Sequence, residues 1–335
     1  MTIHATPSTG IRDQSCRAAR TPQRRRRCID GTVTTSDGVH LAVRDYLPPG
    51  SIDHTIVLLH GWCLTQTCWN HQIRHLCHRA GGNVRIISYD HRGHGRSSSA
   101  PIRTYRIDRL AADFAELLAD LNVTGPLTLA GHSLGGMVAL SYLARAAHQQ
   151  PAHPDGLVLI ATAAGQLAQR GLGRLLTTPG LDTLVDLIDH TPHRAAEHAV
   201  RTLARPLCAA LARRGRYATD ERNTLAATVA DAVHHTPWTT AIGFLAALKT
   251  YDQRATLETI TAATTVISGG ADTITPAAHA HELASAIPNA THLHQPTAGH
   301  MLLHDAPHLV SAAINRAIAG HQPDRPTDPR IAKAC

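Results

Sequence analysis

Residues 131–135 read Gly-His-Ser-Leu-Gly and close the apolar run LTLA. A core strand has no use for a serine with a glycine two residues to each side. A turn that must expose one hydroxyl does. The run LTLA before the motif and LGGMVALSYLARAAH after it set the turn between a strand and a helix. Such a turn is sharp, and Cβ atoms at 131 and 135 would collide with neighbouring backbone. Gly131 and Gly135 are therefore required, and the Ser133 hydroxyl is lifted above the sheet edge. Leu134 opens the helix, so its N–H points into the same space, where it can stabilise a developing oxyanion.

Serine alone is a weak nucleophile. It needs a base, and the base needs an orienting group. SGGADTITP puts Asp272 just past the strand-like TTVIS, and PTAGH puts His300 in a loop after the last strand-like segment. The chain has 25 histidines, so a single one needs defending against its neighbours. His292 and His294 fall inside the expected strand, and His304 and His308 lie past the turn. The histidines form no HExxH pattern and no Cys/His spacing of a zinc site, so no metal is expected.

These groups need elements to hold them. IDGTVTTSDGVHLAVRDYL (29–47) alternates around Ser36-Asp37-Gly38 as a β-hairpin does. TIVLLHG, VRIISYD, PLTLAGHS, GLVLIATAAG (156–165), TTVISGGAD and THLHQPTAGH are short apolar runs, as in strands buried on both faces. CWNHQIRHLCHRAGG, DRLAADFAELLADL and APHLVSAAINRAIAG carry helical periodicity. Alternating strands and helices predict a mostly parallel sheet covered on both faces. Residues 166–250 break the rhythm. QLAQRGLGRLL, LDTLVDLID, HRAAEHAVRTLARPLCAALARRG and NTLAATVADAV all read as helices, so this interval is expected to be an inserted helical cap.

Taken together, HG at 60–61, DHRGHGRSS at 90–98, GHSLGG, GGADTITP and AGH, in the order Ser133, Asp272, His300, resemble the α/β-hydrolase fold over about residues 30–320. The lidded esterase- and lipase-like branch is the nearest match, with monoacylglycerol lipases, non-haem haloperoxidases and C–C hydrolases as similar relatives. The resemblance implies Ser133 as nucleophile, His300 as general base and Asp272 as its orienting partner. It also implies a second oxyanion N–H from Trp62, beside Leu134, and a cap between the sixth strand and Asp272. Relatives with an aspartate at the elbow make alkyl-enzyme esters, which Ser133 is unsuited to do. The expected activity is cleavage of a carboxylic ester through an acyl-enzyme, without cofactor or metal, on a small apolar substrate. The alternatives are a C–C bond hydrolase or a cofactor-free haloperoxidase or perhydrolase with the same triad. From another class comes a non-catalytic small-molecule-binding protein.

The remaining features are plainer. DHRGHGRSS lacks both phosphate-loop patterns and reads as a structural loop bordering the site. Trp69 is expected to pack beneath the rim, and Cys63 to be small apolar filler. Arg201, Arg205, Arg213 and Arg214 give the cap a basic, solvated face. Of 335 residues, 43% are apolar and only 3% aromatic, so Ala, Leu and Val must fill the core. The net charge is +7. Residues 1–28 hold Arg12, Arg17, Arg20 and Arg24–Arg27 against Asp13, so the basicity belongs to a tail, and no nucleic-acid-binding face is expected on the fold. TPQRRRRCID is followed by polar sequence rather than an apolar h-region, so 1–28 reads as a disordered extension, or a start codon set too early, not a leader. Seven cysteines without CxxC suggest free thiols in a reducing compartment. No segment nears the ~18 apolar residues of a membrane span. A cytoplasmic protein is expected, with core segments 29–165 and 251–320, cap 166–250 and a loose tail at 321–335.

Overall fold

A computed structural model describes residues 26–79, 83–171, 180–191, 195, 197–199, 202 and 236–320. Eight strands form one sheet: β1 (Arg27–Thr34), β2 (His40–Leu47), β3 (His54–Leu59), β4 (Val84–Tyr89), β5 (Leu127–His132), β6 (Gly156–Ile160), β7 (Ala263–Gly269) and β8 (Thr291–Gln295). Their spatial order is β1-β2-β4-β3-β5-β6-β7-β8. The β1–β2 hairpin and the β2–β4 pair are antiparallel. Every pairing from β4 to β8 is parallel. β1 starts at Arg27, opposite Leu47, so it takes in the last two residues of the stretch read as a tail.

The helices are α1 (Asn70–Arg79), α2 (Ile107–Asp120), α3 (Leu134–Leu143), α4 (Leu181–Asp189), α5 (Trp238–Thr250), α6 (Ala277–Ala286), α7 (Leu302–Asp305) and α8 (Pro307–Ala319). Successive strand side chains point to opposite faces, and this sorts the helices. In β3, Ile56 and Leu58 pack with Ile73 and Leu76 of α1 and Val310 and Ile314 of α8. Val57 and Leu59 pack on the other face with Leu110 and Phe114 of α2 and Met137 and Leu140 of α3. Both faces of β3, β4 and β5 are buried throughout. This is why these segments read as predominantly apolar runs, with a few buried polar residues among them. Each Leu or Ile so buried contributes about 1.5–3 kcal/mol.

Two sequence expectations are corrected. GLVLIATAAG was expected as one strand, but β6 stops at Ile160. Ala161 turns left-handed with φ 46°, and the Ile160 carbonyl bonds the Ser133 N–H at 2.9 Å. QLAQRGLGRLL was expected as a helix, yet residues 167–169 and 171 form turns. Residues 172–176 of that segment lie outside the described residues. So do Arg201, Arg205, Arg213, Arg214, residues 1–25 and 321–335, and most of the two later cap helices.

LDTLVDLID is helical, as α4. α5 falls inside the interval expected as a helical cap, although no separate helix was named there. It packs on the core through Phe244, whose ring lies 5.2 Å from Tyr105 and 5.4 Å from His94. The Glu197 carboxylate accepts the Trp238 and Thr239 N–H groups at 3.0 Å each and so caps its start. Among the described residues no helix is long and apolar enough to cross a membrane.

Candidate active site

Ser133 caps the N-terminus of α3 with φ 52° and ψ −117°, a backbone conformation that costs an ordinary residue energy. Close packing holds it there. A Cβ on Gly135 would lie 2.1 Å from the Leu59 carbonyl oxygen, and one on Gly131 2.5 Å from the Gly136 nitrogen. At both positions a side chain would force backbone to shift. A Cβ on Gly136 would meet the Thr162 side chain at 2.7 Å. Thr162 itself donates its hydroxyl to the Ser133 carbonyl at 2.7 Å. Nothing in the sequence around Thr162 signals this.

The three residues expected to work together meet above the ends of β5, β7 and β8. The Ser133 hydroxyl lies 3.0 Å from His300 Nε2. His300 Nδ1–H donates to Asp272 Oδ2 at 2.9 Å. Asp272 is buried, and burial pushes its carboxyl upward. The facing His300 imidazole and the Thr275 donors outweigh this and hold it below its ordinary value. Asp272 Oδ1 accepts the Ile274 and Thr275 N–H groups at 2.8 and 2.9 Å. Oδ2 also accepts the Thr275 hydroxyl at 2.8 Å. Thr275 was not singled out in the sequence. A signal existed: an Asp followed three residues later by Thr, just before a helix, often binds its own downstream N–H groups.

The competing histidines are elsewhere. His292 and His294 sit on β8 and bond the Ser268 hydroxyl at 2.8 and 2.9 Å. His304 is exposed on α7. His308 stacks edge-on with His71 at 5.6 Å.

Beside Ser133 runs the strap His60–Cys63. A Cβ on Gly61 would lie 3.3 Å from the Ser133 Cβ, so the strap packs against Ser133. Three buried imidazoles hold it. His60 Nδ1–H donates to the Gly61 carbonyl at 2.8 Å, while Nε2 accepts the His91 N–H at 2.9 Å. His91 Nε2–H donates to the His60 carbonyl at 3.1 Å. His94 Nε2 accepts the Cys63 N–H at 3.1 Å. The latter two histidines belong to DHRGHGRSS, so that loop does border the site. Burial drives all three imidazoles towards neutrality, His94 down to about 3. Cys63 itself has φ 57°. Its thiol is buried and pushed up by desolvation, and it packs with Ala241, Trp62 and Trp238. The Gly61 carbonyl also accepts the Leu64 N–H at 3.1 Å. Leu134 is the first residue of α3, where N–H groups lack intrahelical partners. Trp69 is fully buried with the α1 and α8 side chains. Among the described residues no group of three or more His, Cys, Asp or Glu side chains could hold a metal ion.

The family profile described as the alpha/beta hydrolase fold matches residues 54–307. The chain belongs to that family. A non-heme chloroperoxidase of Streptomyces lividans is 38% identical over 116 residues, 35% of this chain and 40% of that protein. A bifunctional esterase/perhydrolase of Acinetobacter calcoaceticus is 34% identical over 115 residues, 34% of this chain and 39% of that protein. The match thus spans about two fifths of the length of these relatives. An esterase structure from Exiguobacterium antarcticum superposes with a TM-score of 0.65 at 21% identity, covering 87% of this chain and all of that one. It shares the fold.

Proposed function

We propose that the chain is a serine hydrolase that cleaves carboxylic esters through an acyl-enzyme on Ser133. The observation that carries this reading is the hydrogen-bonded relay from Ser133 to His300 to Asp272, at 3.0 and 2.9 Å. His300 Nε2 takes the hydroxyl proton as Ser133 attacks the ester carbonyl, then returns it to the leaving alcohol. Asp272, kept ionised, holds the Nδ1–H tautomer and stabilises the imidazolium. The Trp62 and Leu134 N–H groups bind the oxyanion, and one such donor is worth about 2.7–4 kcal/mol of barrier. Water, activated by His300, then frees the acid. The cycle uses only side chains and backbone of this chain.

A second reading follows from the names of the two curated relatives: hydrogen peroxide replaces water in the second half and releases a peracid. The test is a p-nitrophenyl ester panel, acetate to palmitate, with and without peroxide, on wild type and Ser133→Ala. Ester turnover falling by about 10⁶-fold in the variant supports the proposal. Undiminished turnover in the variant, or none in the wild type, ends it. Peracid formed in preference to free acid moves the second reading ahead.

A further inference from the structure

His132, between Gly131 and the nucleophile, takes no part in the relay, yet its ring meets both the loop that carries His300 and the strap at Gly61. The ring is fully buried. Nε2 lies 2.9 Å from the backbone carbonyl of His300. A carbonyl can only accept, so the proton sits on Nε2 and Nδ1 is bare. That Nδ1 lies 2.9 Å from where a Cβ on Gly61 would stand, so the ring also packs on the strap. The rings of His132 and His300 are 5.1 Å apart, inclined at 53°.

The loop that carries His300 is knitted down in its first half. The Gly270 N–H bonds the Gln295 carbonyl at 2.9 Å, and the Ala271 N–H bonds the Ala298 carbonyl at 3.0 Å. The Gly299 N–H bonds the Asp305 carboxylate at 2.9 Å, in an exposed position. At His300 the main chain has a single anchor among the described residues, the bond its carbonyl accepts from His132. Its side chain is held by Asp272 and Ser133. The bond to Ser133, however, is remade at each proton transfer and cannot locate the ring through a cycle.

We propose that His132 is the positioning residue of the base: it ties the His300 main chain to the strand that ends in the nucleophile, so that the imidazole returns to Ser133 after each transfer. The idea rests on the triad reading above. Burial, then the neighbouring His300, pushes the His132 pKa down to about 3, so the donor persists at neutral pH. Phenylalanine fills the same space without a donor. Glutamine presents an amide N–H at the reach of Nε2.

The experiment compares wild type, His132→Phe and His132→Gln by kcat, KM and fluorophosphonate active-site titration. The downfield proton NMR signal of the His300 Nδ1–H on Asp272, assigned by its loss in His300→Asn, is followed in parallel. In the phenylalanine variant kcat per titrated site should fall about 10–100-fold with KM little changed, and the signal should broaden away. Glutamine should restore most of the rate and the signal. An unchanged rate and signal in the phenylalanine variant overturns the proposal, as does a glutamine variant no better than phenylalanine. If phenylalanine prevents folding, the glutamine variant decides alone: signal kept supports the idea, signal lost ends it. If the wild type cleaves no ester, the proposed function falls, while the signal, read without substrate, still decides the role of His132.

Discussion

The elbow Gly131–Gly136 and the strap His60–Cys63 touch at Ser133, and each is held by different physics. The elbow is fixed by missing side chains: backbone lies 2.1 to 2.8 Å from where the Cβ atoms of Gly131 and Gly135 would be. The strap is fixed by hydrogen bonds to imidazoles that must stay neutral. Steric exclusion is indifferent to pH and tolerates no added atom. An imidazole acceptor tolerates a change of ring but fails when it gains a proton. Positive φ occurs on both sides, at Ser133 in the elbow and Cys63 in the strap, so two unrelated devices each hold a residue at an uncommon backbone angle.

The largest expected effect comes from the elbow. Gly135→Ala would drive a methyl group into the Leu59 carbonyl oxygen, which belongs to central strand β3 and cannot yield. The variant should lose fluorophosphonate labelling completely, and its melting temperature should drop. A soluble, fully labelled Gly135→Ala protein would mean that the elbow relaxes and that exclusion is not what fixes it.

The next effect belongs to the imidazoles. An unfolded histidine titrates near 6.5, whereas burial holds His94 and His132 down to about 3 in the folded chain. Between these values the unfolded chain takes up protons that the folded chain refuses, so stability falls as pH falls through that window. From pH 7 to pH 5 each of the two costs about 2 kcal/mol of stability. The lowered Asp272 acts in the same sense at still lower pH, since its stabilisation is lost only as pH drops through its folded value. Urea unfolding at pH 7, 6 and 5 reads this slope directly. A flat profile would show that the imidazoles are already charged or solvated, and the contrast with the elbow would collapse.

How much of this was legible in the sequence follows from the same contrast. GHSLG could be read because exclusion leaves a glycine wherever backbone is close, and a glycine at fixed spacing is visible. Asp272 could be read because it follows the apolar run of β7, and His300 because it stands in the loop after the last strand-like segment, although β8 itself is THLHQ, partly exposed with one apolar residue and not the strand buried on both faces that was expected. The strap's supports were far less visible, because His91 and His94 act through ring nitrogens on backbone groups about thirty residues away. In a chain with 25 histidines such partners have no local signature. α5 was not named as a helix of its own within the cap interval for another reason. It is apolar around most of its surface, burying Thr239 through Phe244 in a row, so it lacks the one-sided periodicity by which surface helices are recognised. The early end of β6 depends on the Ile160 carbonyl turning to Ser133, a pairing between elements that no single segment encodes.

The smallest effect is expected at His94, and it tests the strap most narrowly. His94→Phe keeps an aromatic ring against Phe244 but leaves the buried Cys63 N–H without its acceptor. An orphaned buried donor costs about 1–3 kcal/mol. Because Cys63 follows Trp62 directly, the loosened strap should also lower kcat, but less than losing an oxyanion donor outright, whose cost is about 10²–10³-fold. His94→Gln returns an oxygen acceptor that cannot be protonated. It should recover the stability at pH 7 and at the same time remove one histidine from the acid slope. These two results are independent, which makes the pair informative. Recovery without a gentler slope would mean that His94 supports the strap but is not among the groups resisting protonation. A gentler slope without recovery would mean that the ring, not its nitrogen, does the holding, and that the strap is closer to the elbow's steric logic than its hydrogen bonds suggest.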